Sequence, residues 1–157
     1  MRNDMPERRR LPRMPAELFV YGSLTVHEVL RSILRREPGT RPGSARGWRV
    51  AAVRDRVYPA LVAGGKTVHG LVLTDLGPTE WDQLDRFEAP AYDLVEIRLT
   101  DGSTAWTYVW GGTPDRISDD DWDRDRFCAD ELPRYLELTI AWCDSVRSSA
   151  PVDEDSP

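Results

Sequence analysis

Lysine is nearly missing from this chain. Lys66 is the single lysine among 157 residues, and arginine supplies the rest of the basic charge. Acidic side chains outnumber basic ones, 27 to 21, for a net charge of −6. That balance favours solubility and argues against nucleic acid as a partner. The triplet Arg8-Arg9-Arg10 is the one dense basic run, and it reads as part of a solvated leader. Cysteine is scarce as well. Cys128 and Cys143 are too few for a disulfide scaffold and lack a redox spacing, so both read as buried or partly buried thiols. The two histidines, His27 and His69, form no local ligand cluster with them, and no metal is expected. No apolar run approaches the ~18 residues of a membrane span. The basic start is not followed by an apolar region of signal-peptide length. No membrane contact is expected, and the expected location is cytoplasmic.

What remains is an ordinary globular composition, 40% apolar, long enough for one compact domain. Residues 1–15 carry Pro6, Pro12 and Pro15 among charges and read as a disordered leader; 149–157 read as a disordered tail. The domain is expected at 16–148. Leu18 to Val20 is a short strand. Tyr21-Gly22-Ser23-Leu24 turns out of it, and Thr25 with Glu28 has capping-box spacing for a helix that Pro38-Gly39 closes. Gly43 to Gly47 reads as loop, Trp48 to Val53 as strand, and Tyr58 to Val62 as a segment broken by Pro59. Gly64-Gly65 reads as a turn before a strand over Lys66 to Leu73. Pro78 opens a helix that ends near Glu88 and is stopped by Pro90. Tyr92 to Leu99 and Ser103 to Trp110 form a hairpin around Asp101-Gly102.

The acidic stretch from Ser118 to Arg126 reads as a solvated loop. It lacks the glycine and terminal glutamate of a calcium-binding loop. Leu132 to Val146 reads as a last helix. Five or so short strands with hairpin and glycine turns, and no βαβ repeat, predict an α+β fold. Its core is a small mixed or antiparallel β-barrel with flanking helices.

Two stretches carry chemistry. Tyr21-Gly22-Ser23-Leu24 delivers backbone N–H groups at a helical N-terminus, where none has an intrahelical partner. Such groups bind a carboxylate or a developing oxyanion, and Gly22 lets a ligand approach the backbone. A turn that merely connects is the plainer reading. Glu88 is the second candidate. It sits where an apolar helix gives way to a proline-bounded turn, with Phe87 and Trp81 nearby. Partial desolvation there raises a carboxyl toward the working range of a general base. An exposed helix-end glutamate is the alternative. Tyr58, Tyr92 and Tyr108 are each open to a pocket or a core role. No Ser-His-Asp arrangement accompanies Ser23.

The ordered set YGSL at 21–24, YPAL at 58–61, GKTVHGLVLTDL at 65–76, WDQLDRFEAPAY at 81–92 and AWTYVW at 105–110 resembles the gamma-glutamylcyclotransferase-like family, also described as AIG2-like. The resemblance covers roughly residues 17–112. It implies a small β-barrel with flanking helices and no metal or organic cofactor. It also implies release of 5-oxoproline from a small-molecule gamma-glutamyl substrate. Glu88 matches the catalytic glutamate, and Tyr21, Gly22, Ser23 and Leu24 match the substrate loop. Tyr92 and Tyr108 match family tyrosines; Tyr58, which opens the YPAL motif, is placed with the substrate-binding residues on the separate expectation that Tyr58-Pro59-Ala60-Leu61 lines a pocket with its turn. The chain departs from the family pattern at Ala89, where a glycine is usual, and at Leu94, where an arginine often stands. The loop's final leucine points to gamma-glutamylamines or gamma-glutamylated natural products. A monomer or homodimer is expected. Two other readings stand beside this one: a non-catalytic small-molecule-binding module using the same pocket, and a partner-binding domain using the acidic 119–125 stretch.

Overall fold

The computed structural model describes residues 16–88 and 91–149. The expected leader, the tail beyond 149 and the Ala89 position lie outside the described residues.

Six strands form one mixed sheet in the order β4-β5-β1-β3-β2-β6. They are β1 (Leu18–Val20), β2 (Thr40–Val53), β3 (Pro59–Leu73), β4 (Tyr92–Arg98), β5 (Thr104–Trp110) and β6 (Ile117–Asp121). The β1–β5 pair is parallel and every other pair is antiparallel. The sheet curls into a half-barrel. Just past β4, the Thr100 N–H donates to the Ser44 carbonyl of β2 at 2.9 Å, although three strands separate β4 from β2 in the sheet.

Alternation along the strands creates two cores. Phe19, Leu61, Val72, Ile97 and Leu99 fill the concave side. Leu18, Val20 and Leu73 face the helices, meeting Val29 and Ile33 of α1 (His27–Leu34) and Trp81 and Leu84 of α2 (Pro78–Glu88). After a short α3 (Arg124–Arg126) and a π turn over Phe127–Glu131, α4 (Leu132–Ser149) packs on α1 and brings Cys143 into the same core.

Several expectations are corrected. Gly43 to Gly47 is not a loop and Gly64-Gly65 is not a turn; they lie inside strands of 14 and 15 residues. The register breaks once, where Trp48 faces both Ala63 and Lys66, and Gly47 adopts φ +92°. The bulge exchanges the two faces of each strand. It lets Leu61 and Val68, of opposite parity, point into one core. The acidic segment is likewise no free loop. Ile117–Asp121 forms β6 on the edge of β2, and Asp121 pairs with Arg49 at 3.1 Å and with Lys66. These ion pairs offset the charge that would keep the segment in water. The capping box is also absent. α1 begins at His27 behind Val26, and the Thr25 hydroxyl donates to the Gly22 carbonyl at 2.6 Å, closing a 3₁₀ turn over Ser23–Thr25.

Candidate active site

A cavity of about 480 Å³ opens at the end of the half-barrel where β1 and β5 finish and β3 and β4 begin. Each wall comes from a different part of the chain. The turn after β1 supplies Tyr21, Gly22, Ser23 and Leu24; the start of β3 supplies Pro59 with Tyr58 before it. The last residue of α2 is Glu88; β4 and β5 contribute Tyr92 and Tyr108, and α4 adds Tyr135, Thr139 and Trp142. All eight residues singled out in the sequence therefore meet at one cavity. All five tyrosines of the chain line it.

Packing explains how the glycine turn reaches this place. A Cβ on Gly22 would overlap the Pro59 ring, so the YGSL turn lies directly on the YPAL segment. Within the turn, Thr25 and Val26 donate their N–H groups back to Gly22 and Ser23 at 2.9 and 3.0 Å. The carbonyls are thus engaged, while the leading N–H groups of such a turn have no partner within it.

Much of the hydroxyl chemistry is already committed. The Tyr21 hydroxyl donates to the Tyr108 carbonyl at 2.5 Å, and the Tyr92 hydroxyl donates to the Pro59 carbonyl at 2.6 Å. Tyr108 donates to Asp85 Oδ1 at 3.4 Å, and Ser23 shares a hydrogen bond with Tyr135 at 3.1 Å. Tyr58 accepts from Arg56 Nε at 2.8 Å. Phenols that donate outward still present oxygen lone pairs to the cavity, which suits a bound ammonium group.

Glu88 stands apart. It is half-buried, and its carboxyl has no hydrogen-bond or ion-pair partner among the described residues. Burial, with the Asp85 charge one turn earlier as the second cause, pushes its pKa up to about 8. Its charge in turn raises Tyr21, Tyr92, Tyr108 and Tyr135, for each of which burial is the larger cause. The carboxyl therefore sits amid a ring of phenols that stay neutral. An unpaired half-buried carboxyl is costly, and it can exchange a proton near neutral pH.

Several other residues are placed by the structure. Leu94 packs against the helix-side core and does not line the cavity. Trp106 and Trp110 of β5 do not line it either: Trp106 packs on the helix-side core and Trp110 stacks edge-on against Tyr92. Trp142 of α4 does line the cavity, edge to face with Phe87. Arg56, Tyr135, Thr139 and Trp142 were missed as site residues. Tyr135, Thr139 and Trp142 do recur at helical spacing, which places them on one face of α4.

A curled mixed sheet with flanking helices is the fold of a known family. The model of the family described as gamma-glutamyl cyclotransferase, AIG2-like, matches residues 18–124, and the chain belongs to that family. The Arabidopsis thaliana AIG2-like protein C is 37% identical over 137 residues, spanning 83% of this chain and 80% of its own. AIG2-like protein D of the same plant is 33% identical over 129 residues, spanning 78% and 85%. A solved gamma-glutamyl cyclotransferase superposes with a TM-score of 0.55 over 90% of this chain and 92% of its own; at 14% identity this likeness concerns the fold.

Proposed function

We propose that this protein is a gamma-glutamyl cyclotransferase acting on a gamma-glutamylamine or a gamma-glutamylated natural product. The observation that carries the reading is the Glu88 carboxyl, without a hydrogen-bond or ion-pair partner among the described residues, raised to about 8 and facing the same cavity as the Gly22–Leu24 turn. Family membership supports it.

In this reading the substrate's α-amine is the nucleophile. It attacks the γ-carbonyl carbon, a C–N bond closes the five-membered lactam, and the original amide C–N bond breaks. The products are 5-oxoproline and a free amine, and every bond change is within the substrate apart from one proton relay. Glu88 takes the proton from the attacking amine and returns it to the departing nitrogen. The incoming ammonium also relieves the desolvated carboxylate electrostatically. Tyr21, Tyr58, Tyr92 and Tyr108 wall the cavity and hold the glutamyl chain folded for attack. The N–H groups of Gly22, Ser23 and Leu24 hold its carboxylate or the oxyanion.

The test is mass-spectrometric detection of 5-oxoproline. Wild type and Glu88→Gln are incubated with gamma-glutamyl dipeptides, alkylamides and aminoglycoside-type amides. Product from wild type and loss of at least a hundredfold in the variant is the expected result. Near-wild-type turnover by the variant overturns the role of Glu88. Saturable binding without turnover of any panel member favours a binding module.

A further inference from the structure

The cavity has a floor and a rim of different character. Phe19, Val20, Ser23, Leu24 and Tyr108 are buried at its base. Its exposed residues are Asp55, Arg56, Val57 and Leu138. Val57 and Leu138 are two of the three large hydrophobic side chains left exposed among the described residues. Their placement together at one opening marks an apolar lip.

The charges of this rim do not cancel. Asp55 lies 3.7 Å from Arg116. Arg56 has no carboxylate partner among the described residues, and it is the one cation on the cavity wall. Its Nε donates to Tyr58 at 2.8 Å and its Nη1 to the Asp55 carbonyl at 3.0 Å. Those two bonds fix the guanidinium and leave its Nη2 edge for a ligand. The loop itself is tied down. Trp122 Nε1 donates to the Val57 carbonyl at 2.7 Å, and the Arg54 N–H to the Arg116 carbonyl at 2.8 Å.

Lactam closure decides which part of a substrate reaches this rim. The glutamyl chain folds back on its own γ-carbon, so it stays beside Glu88 and the turn. Only the amine portion extends outward. We propose that Arg56, Val57 and Leu138 form the leaving-amine subsite and select an amine that carries both a carboxylate and an apolar side chain. This rests on the cyclotransferase reading and departs from a plain gamma-glutamylamine: the leaving amine is an apolar amino acid. The carboxylate pairs with Arg56, and the side chain covers Val57 and Leu138.

A matched pair of substrates tests it: gamma-glutamyl-leucine and gamma-glutamyl-isopentylamide, which differ only by the carboxylate. Wild type is expected to favour the first roughly tenfold in kcat/KM, the size of one partly screened charged hydrogen bond. Arg56→Gln should remove the preference by raising KM for the dipeptide about tenfold more than for the amide. Leu138→Ser should instead reduce the preference for gamma-glutamyl-leucine over gamma-glutamyl-glycine. Equal use of the pair by wild type, or equal loss of both substrates in Arg56→Gln, overturns the subsite. Calorimetric binding of the same pair to Glu88→Gln separates the two readings. Carboxylate-dependent binding with no turnover by wild type retains the subsite and removes the cyclotransferase. Turnover without carboxylate discrimination does the reverse.

Discussion

Gly22 and Pro59 are in such close contact that a Cβ on the glycine would overlap the proline Cγ and lie 3.0 Å from its Cδ. The turn after β1 is thereby seated on the first residue of β3. Gly22→Ala should cost about 1–3 kcal/mol by overpacking and displace the N–H groups of the turn, lowering turnover more than stability. Adding Pro59→Ala removes the obstructing ring carbons. The double variant should therefore melt above the sum of the single effects, with a coupling of at least ~0.5 kcal/mol. Strictly additive melts would show that the contact is not the constraint.

Glu88 sets opposite pH dependences for turnover and for stability. A base must be ionised, so turnover rises with pH and levels off above about 8. The unfolded carboxyl titrates near its ordinary 4.5 and the folded one near 8. Its contribution to stability is thus fully present below 4.5 and is lost as pH rises through 8. The amide introduced by Glu88→Gln is neutral throughout, so melting curves of wild type and variant should diverge toward pH 8 in favour of the variant. A constant gap between them would contradict the burial argument.

Asp85 is one turn before Glu88 on α2 and is the second cause of its raised pKa. Asp85→Asn removes the like charge while keeping an acceptor for the Tyr108 hydroxyl. The acid limb of the pH–rate profile should move to lower pH, yet stay above an ordinary carboxyl because burial remains. An unmoved limb would show that the two carboxylates are not coupled.

Arg36, just past α1, grips the N-terminal turn of α2. Its Nε and Nη2 donate to the two carboxylate oxygens of Glu80 at 2.6 and 2.7 Å, and Nη2 reaches the Asp75 carbonyl at 2.9 Å. Glu80 also accepts the Gly77 N–H at 2.9 Å. Bonding to Arg36 holds the Glu80 and Asp75 carboxyls below their ordinary 4.5 and 3.8, so this stability is present above those values and lost as pH falls through the lower folded ones. Arg36→Met should lower stability by about 1 kcal/mol at neutral pH, given partial exposure. The difference should shrink in acid, as read from denaturant melts at pH 7 and below 3.8.

The short local elements were legible. β1, the β4–β5 hairpin with Gly102 at φ +90°, and α2 opening at Pro78 and ending at Glu88 all follow from alternation, turn chemistry and helix signals. The long β2–β3 pair was not. Its glycines at 43, 47, 64 and 65 are loop signals taken alone; only the partner strand pairs Gly43 regularly with Gly70 and makes the other three part of a bulge. The acidic β6 was hidden for the same reason, since Arg49 and Lys66, which pair with Asp121, are 72 and 55 residues away.

The candidate site divides along the same line. YGSL and the glutamate at the end of an apolar helix could be picked out from neighbouring residues, because a turn and a helix end are local. That Tyr21, Glu88 and Tyr135 face one cavity depends on the curl of the sheet and on α4 packing across its end. The same curl decided that Glu88 is withdrawn from water and that Arg56 stands at the rim. Residue type and local spacing determined which groups had the chemistry; burial and long-range contact, which no local window contains, decided what that chemistry became.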